Sequence, residues 1–223
     1  MLDAQFELIT FDCYGTLIDW EAGIASAFQS EAARDGLNLN RSQIIAAYHT
    51  EEPIVESGEF RSYREVLGET ALRVASQLGW DLEARREEFL AASLPHWKPF
   101  ADTNAALERL ARRFKLGILS NVDDDLIAET RRHFTVDFEL VVTAQQVHSY
   151  KPSHAHFETA LARLQGNRLL HAAQSYFHDI VPCSELGISV AWVNRKNELA
   201  DVGGPQPTYE VRNLTELADL VGV

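Results

Sequence analysis

A carboxylate and a hydroxyl follow the first apolar stretch of the chain at a spacing that suits catalysis. Asp12 comes directly after FELITF (residues 6–11), and Thr16 follows four residues later in DCYGT. A carboxylate in this position can serve as a nucleophile, a base, a metal ligand or the N-cap of a helix. Thr16 adds a hydroxyl group and a backbone N–H, and Gly15 permits the sharp turn between the two residues.

Two later stretches carry groups that could act on such a carboxylate or on an anion. KLGILSN ends in Ser120 and Asn121, whose short side chains can cap a helix or help its free N–H groups to bind an anion. Lys151 stands before Pro152, which favours an extended backbone before the next helical stretch. A lysine that points at a nucleophilic carboxylate would keep it ionised, although a lysine before a proline is also common on protein surfaces.

A fourth group of polar residues lies in AAQSYFHD, which contains Ser175, His178 and Asp179. A second acid near Lys151 could hold the lysine in place or help to activate water. Each of the four groups is a weak signal by itself, because helix capping or surface exposure explains it equally well. Together and in this order, they indicate one active site around Asp12.

Strand-like and helix-like stretches alternate along the second half of the chain, and this order places the four groups. Strands are predicted at FELITF, KLGILS, FELVVT, LLHAAQS and SVAWVN, with amphipathic helical stretches between them. Such alternation predicts a parallel sheet that is covered by helices on both faces. Ligands of these sheets bind at the carboxyl ends of the strands, which is where all four groups lie.

The region between the first strand and the others has a different pattern. Residues 21–92 show apolar residues three and four positions apart throughout, and the stretch 94–103 contains two prolines. We therefore expect an all-helical insertion after the first strand, followed by a linker. Such an insertion would lie at the same edge of the sheet as the polar groups and could act as a lid.

Composition limits the class of partner. The chain has 223 residues, a formal net charge of −13 and two cysteines. Nucleic acids and anionic membrane surfaces require a basic footprint that an acidic chain lacks, whereas one local positive pocket is enough to bind a small anion. No apolar run approaches the ~20 residues that cross a bilayer, and the N-terminal stretch lacks the features of a signal peptide. We expect a cytoplasmic protein, without a disulfide framework, that acts on a small molecule.

The four groups resemble the motifs of the haloacid dehalogenase superfamily of hydrolases, and the resemblance covers the whole chain. The matching residues are Asp12 and Thr16 in the first motif, Ser120 in the second, Lys151 in the third, and Ser175 to Asp179 in the fourth.

This resemblance implies an α/β fold with a Rossmann-like parallel sheet core and an inserted all-helical cap domain. The core would comprise residues 1–16 and 97–223, and the cap residues 17–96. In the mechanism that the resemblance implies, Asp12 attacks the substrate and water then hydrolyses the aspartyl ester. By analogy with relatives, a homodimer is also expected.

Tyr14 and Gln174 separate this chain from the phosphatases of the superfamily. In those enzymes an aspartate two residues after the nucleophile protonates the leaving alkoxide, and Tyr14 stands there instead. Aligning Asp179 with the later acid of the fourth motif puts Gln174 where the phosphatases have a magnesium-binding aspartate. Phosphoryl transfer relies on such a metal and acid, whereas hydrogen-bond donors suffice for a departing halide. FDCYGTLID also looks like the L-2-haloacid dehalogenase form of the first motif, so we predict hydrolysis at carbon without a cofactor.

Other positions depart from the haloacid dehalogenases. Those enzymes hold their substrate with a cap arginine, in a segment that aligns with IIAAYHTEEP, where this chain has none. Arg61 or Arg64 could replace it, and Phe157 stands where the dehalogenases have a tyrosine. The chain looks nearer to a dehalogenase-like branch with AQS-x-x-HD in the fourth motif, some members of which open strained amino-acid rings. Tyr14 or His178 would then protonate the departing nitrogen.

The resemblance assigns roles to ten residues. Asp12 is the expected nucleophile, Lys151 its electrostatic partner, and Asp179 the residue that orients Lys151 or water. The groups expected to bind the substrate or its developing charge are Ser120, Thr16, Asn121, Tyr14, Ser175, His178 and Trp20; a place in the core explains Trp20 equally well.

Two rival functions stay open at this point. One is a small-molecule phosphatase in which Asp12 and Asp179 still recruit Mg²⁺. The other is an inactive fold that serves as a binding module, against which the complete Asp-Ser-Lys set argues.

Overall fold

One parallel sheet of six strands forms the centre of the fold in a computed structural model, which describes residues 6–164 and 168–223. The strands are β1 (Leu8–Phe11), β2 (Lys115–Ser120), β3 (Leu140–Thr143), β4 (Leu169–Ala173), β5 (Ser189–Val193) and β6 (Tyr209–Val211). Their spatial order is β3-β2-β1-β4-β5-β6, and each neighbouring pair is parallel. The predicted parallel sheet is therefore confirmed.

Helices connect each successive pair of strands from β1 to β5, as parallel pairing requires, and the described residues between β5 and β6 (194–208) contain no helix. The helices are α1 (Trp20–Ala33), α2 (Arg41–Glu56), α3 (Tyr63–Gln77), α4 (Phe89–Ser93), α5 (Thr103–Ala111), α6 (Asp124–Thr130), α7 (Ala144–Val147), α8 (Ala155–Arg163), α9 (Val181–Glu185) and α10 (Leu214–Leu220). A single π-helical turn, Tyr176–Ile180, precedes α9. No helix among the residues described is both long enough and apolar enough to cross a membrane.

β1 lies between β2 and β4 and is buried over its whole length. A strand that is covered on both faces carries mainly apolar residues on both sides. FELITF therefore does not alternate regularly between apolar and polar residues. In the register of the sheet, Phe11 lies opposite Ile118 on one side and Ala172 on the other. The residues that follow these three therefore meet at one edge of the sheet.

A continuous apolar core holds the sheet and its helices together. Burying side chains of this size stabilises the folded state by about 1.5–3 kcal/mol each. One buried cluster includes Leu119, Val142, Phe157, Leu169, Ile180 and Trp192.

The chain forms two compact units. The sheet unit comprises Met1–Ile18, Pro99–Asn121 and Arg132–Val223, and the helical unit comprises Asp19–Lys98 and Val122–Arg131. The prediction from the sequence is an insertion at 17–96, with the residues of α6 in the core.

Helix α6 joins the helical unit because its first turn binds the start of α3. The carboxylate of Asp123 accepts hydrogen bonds from the backbone N–H groups of Tyr63 and Arg64, both at 2.9 Å. These are two of the orphan donors at the start of a helix, and Ser62 and Glu65 complete the capping with a reciprocal pair of hydrogen bonds.

Candidate active site

The carboxyl ends of β1, β2 and β4 bring together most of the polar groups that the sequence singled out. Asp12 follows β1, Ser120 ends β2, and the π-helical turn that contains Asp179 begins two residues after β4. Lys151 reaches the same edge from the loop between α7 and α8. This is the edge at which parallel sheets bind their ligands.

Asp12 is held by donors on both carboxylate oxygens. Its side chain belongs to a residue that is only 8% exposed. Oδ1 accepts a hydrogen bond from Lys151 Nζ at 2.8 Å, and Oδ2 accepts one from Thr16 Oγ1 at 3.0 Å. Thr16 Oγ1 in turn accepts the backbone N–H of Gln174 at 2.9 Å. The carboxylate is therefore fixed in orientation, and it does not cap a helix.

Lys151 uses all three of its ammonium hydrogens within the site. The residue is 2% exposed, and Nζ donates to Asp12 Oδ1 at 2.8 Å, Asp179 Oδ1 at 2.7 Å and the carbonyl oxygen of Leu119 at 3.0 Å. A buried ammonium group is stable only when it is fully paired. This cation links the two carboxylates.

Asp179 is fully buried, and only one of its oxygens has a partner. Oδ1 accepts hydrogen bonds from Lys151 and, at 3.0 Å, from Nε2 of His171. Oδ2 is buried and has no hydrogen-bond partner among the residues described. A buried, unpaired carboxylate oxygen is costly unless a water or a ligand satisfies it.

The two carboxylates that share this cation have pKa values shifted in opposite directions. Burial is the largest influence on the pKa of Asp12; Lys151 opposes it but Asp179 reinforces it, so the pKa lies above its usual value. Burial also acts to raise the pKa of Asp179, but Lys151 and His171 outweigh it and the pKa falls well below its usual value. As the pH falls, Asp12 therefore takes up a proton before Asp179 does.

The same two carboxylates determine the charge of Lys151. Burial acts to lower its pKa, but the charges of Asp12 and Asp179 outweigh burial and raise the pKa above its usual value. Lys151 is therefore a cation throughout the physiological range, with two anions against it.

Ser120 and Asn121 occupy different environments although they are adjacent. Ser120 is buried, and its hydroxyl oxygen has no hydrogen-bond partner among the described residues. Asn121 instead binds the main chain of Lys151, accepting its N–H at 2.7 Å and donating to its carbonyl oxygen at 3.1 Å. Asn121 thus positions the lysine, whereas Ser120 is free to bind a ligand.

Ser175 and His178 bind each other at the start of the π-helical turn. Ser175 Oγ accepts the backbone N–H of His178 at 3.1 Å and lies 3.0 Å from its Nδ1. Burial lowers the pKa of His178, so the imidazole is neutral at neutral pH. Both side chains contribute to the geometry of the turn that carries Asp179.

The remaining predicted residues lie in different units. Tyr14 is half-buried in the turn that follows Asp12, where Gly15 adopts a φ of 102° that only glycine takes up without strain. Trp20 begins α1 in the helical unit, where its ring lies 5.4 Å from Tyr48 and 5.2 Å from His49.

The two arginines proposed as replacements for the cap arginine are paired with acids of the helical unit. Arg61 donates to Glu69 at 2.7 Å, and Arg64 contacts Asp125 at 2.5 Å. Both arginines therefore already have carboxylate partners.

Sequence reasoning missed an ion pair that braces the turn after β1. Arg195 donates to the carbonyl oxygen of Thr16 at 2.9 Å and to both oxygens of Asp102 at 3.0 and 3.1 Å, and its guanidinium lies 4.0 Å above the ring centroid of Phe100. Bidentate pairing and ring stacking suit arginine. No motif indicated this residue, because its partners lie far away in the sequence.

Sequence reasoning also missed two fully buried histidines. His171 lies inside β4 and contacts Asp179, and His156 on α8 lies 3.2 Å from the carbonyl oxygen of Ser120. His171 stands within the apolar run LLHAA and needs a partner because it is buried, but the sequence does not indicate which residue supplies that partner.

A family model described as haloacid dehalogenase-like hydrolase matches residues 6–173, well over half of the chain. The chain belongs to the haloacid dehalogenase-like hydrolase family. The fold of this hydrolase agrees with that family, and its sheet is the predicted Rossmann-like core.

The hydrolase is similar along its whole length to proteins of known activity. It is 28% identical over 220 residues to (S)-2-haloacid dehalogenase H-109 of Pseudomonas putida, with 96% of each chain covered. The structure of the L-2-haloacid dehalogenase from Xanthobacter autotrophicus with chloropropionic acid covalently bound superposes with a TM-score of 0.84 at 18% identity, over 97% of this chain and 98% of that one. The defluorinating L-2-haloacid dehalogenase Rha0230 superposes with a TM-score of 0.80 at 21% identity, over 98% and 96%. At these identities the two structures establish the fold.

Proposed function

We propose that this hydrolase cleaves a carbon–halogen bond in a small 2-substituted organic acid, with Asp12 as the nucleophile. The observation that carries the proposal is the pair of donors on Asp12. Lys151 and Thr16 hold its two oxygens at 2.8 and 3.0 Å, so an oriented carboxylate stands at the ligand-binding edge of the sheet. The similarity to (S)-2-haloacid dehalogenases supports the same reaction class.

The reaction has two displacements. A carboxylate oxygen of Asp12 attacks the carbon that bears the halogen, and the halide leaves with the electron pair of the broken bond. Water then attacks Cγ of the aspartyl ester, loses a proton to solvent, and releases the hydroxy acid with the regenerated carboxylate. The oxygen that enters the product therefore comes from Asp12, and the oxygen of water enters Asp12.

Three groups support these displacements. Lys151 keeps Asp12 ionised before attack and stabilises the negative charge that develops on the ester oxygen. The buried hydroxyl of Ser120 has no other partner among the described residues and donates to the substrate carboxylate. Asp179 Oδ2 is likewise unpaired and accepts a hydrogen bond from the hydrolytic water. The helical unit acts as the cap that selects the substrate.

The neutral state of His178 favours a halide over a nitrogen leaving group. A departing amine needs a proton, and a neutral imidazole is a weak acid. Burial lowers the pKa of His178, and its Nδ1 lies against Ser175. A halide needs no proton to leave, so carbon–halogen cleavage does not require a proton donor among these residues.

The carboxylates of the site do not fit a magnesium-dependent phosphatase. Of the four oxygens of Asp12 and Asp179, three accept hydrogen bonds from Lys151, Thr16 or His171, and only Asp179 Oδ2 has no partner. Gln174 supplies no carboxylate and donates its amide to Glu198 at 3.2 Å. Mg²⁺ requires negatively charged oxygen ligands with open positions.

Single-turnover hydrolysis in ¹⁸O-labelled water, with excess enzyme and EDTA, tests the mechanism. The substrates are (S)-2-chloropropionate, a strained-ring amino acid and a phosphate ester. We expect hydroxy acid from the chloroacid without metal, with label in the peptide that contains Asp12. Label in the product instead of Asp12 would contradict nucleophilic attack by the carboxylate, and phosphate release that requires Mg²⁺ would identify a phosphatase.

A pair of matched variants completes the test. Asp12→Asn removes the nucleophile, and we expect turnover to fall by at least about 10³-fold with the fold unchanged. Asp137→Asn makes the same change at an exposed residue and should keep full activity.

A cytoplasmic location and a homodimer stay predictions, which cell fractionation and light scattering would test.

A further inference from the structure

His171 is a fully buried imidazole in the middle of a core strand. Its neighbours in β4 are leucine and alanine, and the ring of Phe157 packs edge-on against it, with centroids 5.3 Å apart. Neither the strand nor the phenyl ring offers a polar side chain. Because a buried polar group is costly without partners, the two ring nitrogens must be satisfied elsewhere.

Each nitrogen of His171 has one partner. In the register of β1 and β4, His171 lies directly opposite Thr10, and Nδ1 is 2.9 Å from the Thr10 hydroxyl. Nε2 is 3.0 Å from Asp179 Oδ1. The imidazole therefore connects the central strand of the sheet to the carboxylate that binds Lys151.

The donor directions along this chain follow from the partners. An ionised Asp179 can only accept, so Nε2 of His171 carries a hydrogen. The Thr10 hydroxyl has no partner other than Nδ1 within the described residues, so its hydrogen points at Nδ1, which must then be unprotonated. A second ring proton would leave the hydroxyl hydrogen without an acceptor in a dry interior.

Lys151 and two carboxylates are the charged groups nearest to His171. Lys151 already supplies a cation to Asp179, and Asp12 lies beyond it on the same ammonium group. On α8, burial and Lys151 lower the pKa of His156 to about 3, so that histidine is neutral. His171 thus adds a directional donor to Asp179.

We propose that Thr10 and His171 form a positioning pair for Asp179, which fixes Oδ1 on Lys151 and leaves Oδ2 turned toward the hydrolytic water. The Thr10 hydroxyl holds the imidazole, and the imidazole N–H holds the carboxylate. Neither residue touches the substrate. The inference rests on the proposed function, because it assigns Asp179 to the hydrolysis of the aspartyl ester.

The pH profile of the reaction tests the pair. His171→Phe removes the N–H that helps to keep Asp179 ionised, so Asp179 should be easier to protonate. We expect kcat to fall about tenfold, KM to change less than about twofold, and the acid limb of aspartyl-ester hydrolysis, a step in which Asp12 is esterified and cannot take up a proton, to move upward by about one pH unit. Thr10→Val should give a smaller shift in the same direction.

Two further variants separate positioning from simple loss of packing. His171→Gln keeps an N–H near the position of Nε2. Compared with His171→Phe, we expect its acid limb to return to the wild-type pH and its kcat to recover in part. His156→Gln alters the other buried histidine, which contacts a carbonyl group, and its acid limb should stay in place. An unmoved acid limb in both His171→Phe and Thr10→Val, with only their melting temperatures lowered, would overturn the proposal.

A measurement that needs no substrate distinguishes this inference from the proposed function. ¹⁵N NMR of the histidine-labelled wild-type protein reports which ring nitrogen of His171 carries the proton, with His171→Gln used for assignment. We expect a neutral ring protonated at Nε2. A ring protonated at Nδ1 would overturn the pair whatever the reaction is, whereas the expected tautomer together with an inactive wild type would contradict only the proposed function.

Discussion

At the level of single residues, Lys151 determines the electrostatics of the site. Its three ammonium hydrogens bind three oxygens, two of which are anionic, in a place with almost no access to solvent. In such surroundings the desolvation cost of each ion is several kcal/mol, and pairing must offset it. Removing the cation would leave two buried carboxylates facing each other.

We predict that Lys151→Met destabilises the protein by about 3–5 kcal/mol at pH 7. The loss of stability should be smaller at pH 4, because Asp12 and Asp179 can then take up protons and cease to repel each other. Urea unfolding at the two pH values measures both effects.

Lys115→Met is the matched control for this change. Lys115 pairs with Glu139 at 2.6 Å, but its side chain is 60% exposed, and exposed pairs contribute about 1 kcal/mol or less. An equal loss in the two variants would show that burial of Lys151 does not govern its contribution.

The residues of the site differ in how far the sequence revealed them. Asp12, Lys151 and Asp179 were predictable because a charged residue beside an apolar stretch is conspicuous. His171 was not, because a histidine within LLHAA only continues a strand, and its meaning depends on Thr10, which is 161 positions away. The residues that lie opposite each other on neighbouring strands can be identified only when the order of the strands in the sheet is known.

At the level of elements, the long strands and helices were predictable and the short ones were not. The predicted strands correspond to β1–β5, and the side chain of Asn213 caps α10. β6 has only three residues and follows a stretch rich in glycine and proline, and α7 is a single turn. Elements this short cannot show a periodic pattern of apolar residues, and contacts within the sheet unit determine whether they form.

A polar contact between α2 and α3 gives the helical unit its own dependence on pH. Glu52 on α2 accepts a hydrogen bond from the hydroxyl of Tyr63 at 3.5 Å, and that hydroxyl lies 3.5 Å from the hydroxyl of Tyr48. Burial is the largest influence on Glu52 and raises its pKa from 4.5 to about 7. The folded state therefore holds a proton that the unfolded chain releases.

We predict that Glu52→Gln stabilises the protein at pH 8 by about 1–2 kcal/mol, a value reduced for the partial exposure of Glu52. Because its folded pKa lies above its unfolded one, the contribution of Glu52 to stability is greatest below about pH 4.5 and is lost as the pH rises through 7. Thermal unfolding at pH 5 and pH 8 should show the gain only at pH 8.

Glu59→Gln, at an exposed residue, controls for the loss of one negative charge and should change stability by less than about 0.5 kcal/mol at either pH. If both variants were more stable than the wild type at pH 8, the cause would be the change in net charge rather than the burial of Glu52.

At the level of the whole molecule, a net charge of −13 opposes the approach of an anionic substrate. A local hydrogen-bond donor such as the hydroxyl of Ser120 acts in the opposite direction. Salt screens charges beyond about 8 Å at physiological ionic strength, so it weakens the repulsion by the whole surface more than the contacts within the site.

We predict that kcat/KM for (S)-2-chloropropionate rises about two- to threefold when sodium sulfate raises the ionic strength from about 10 to 150 mM. The uncharged amide of the same acid is the control and should show no such rise. A fall in kcat/KM with salt would mean that a local cation, rather than the surface, governs the encounter.

The central place of β1 also determines when the sheet can form during synthesis. β1 is made first, but its partners β2 and β4 begin only at Lys115 and Leu169. At about 5–20 residues per second, the ribosome needs roughly 8–30 s to complete both neighbours. During that time an apolar strand has two unpaired edges, while the residues of the helical unit up to Lys98 emerge and make local contacts. Faster translation or a chaperone that shields the first dozen residues should therefore raise the yield of folded enzyme.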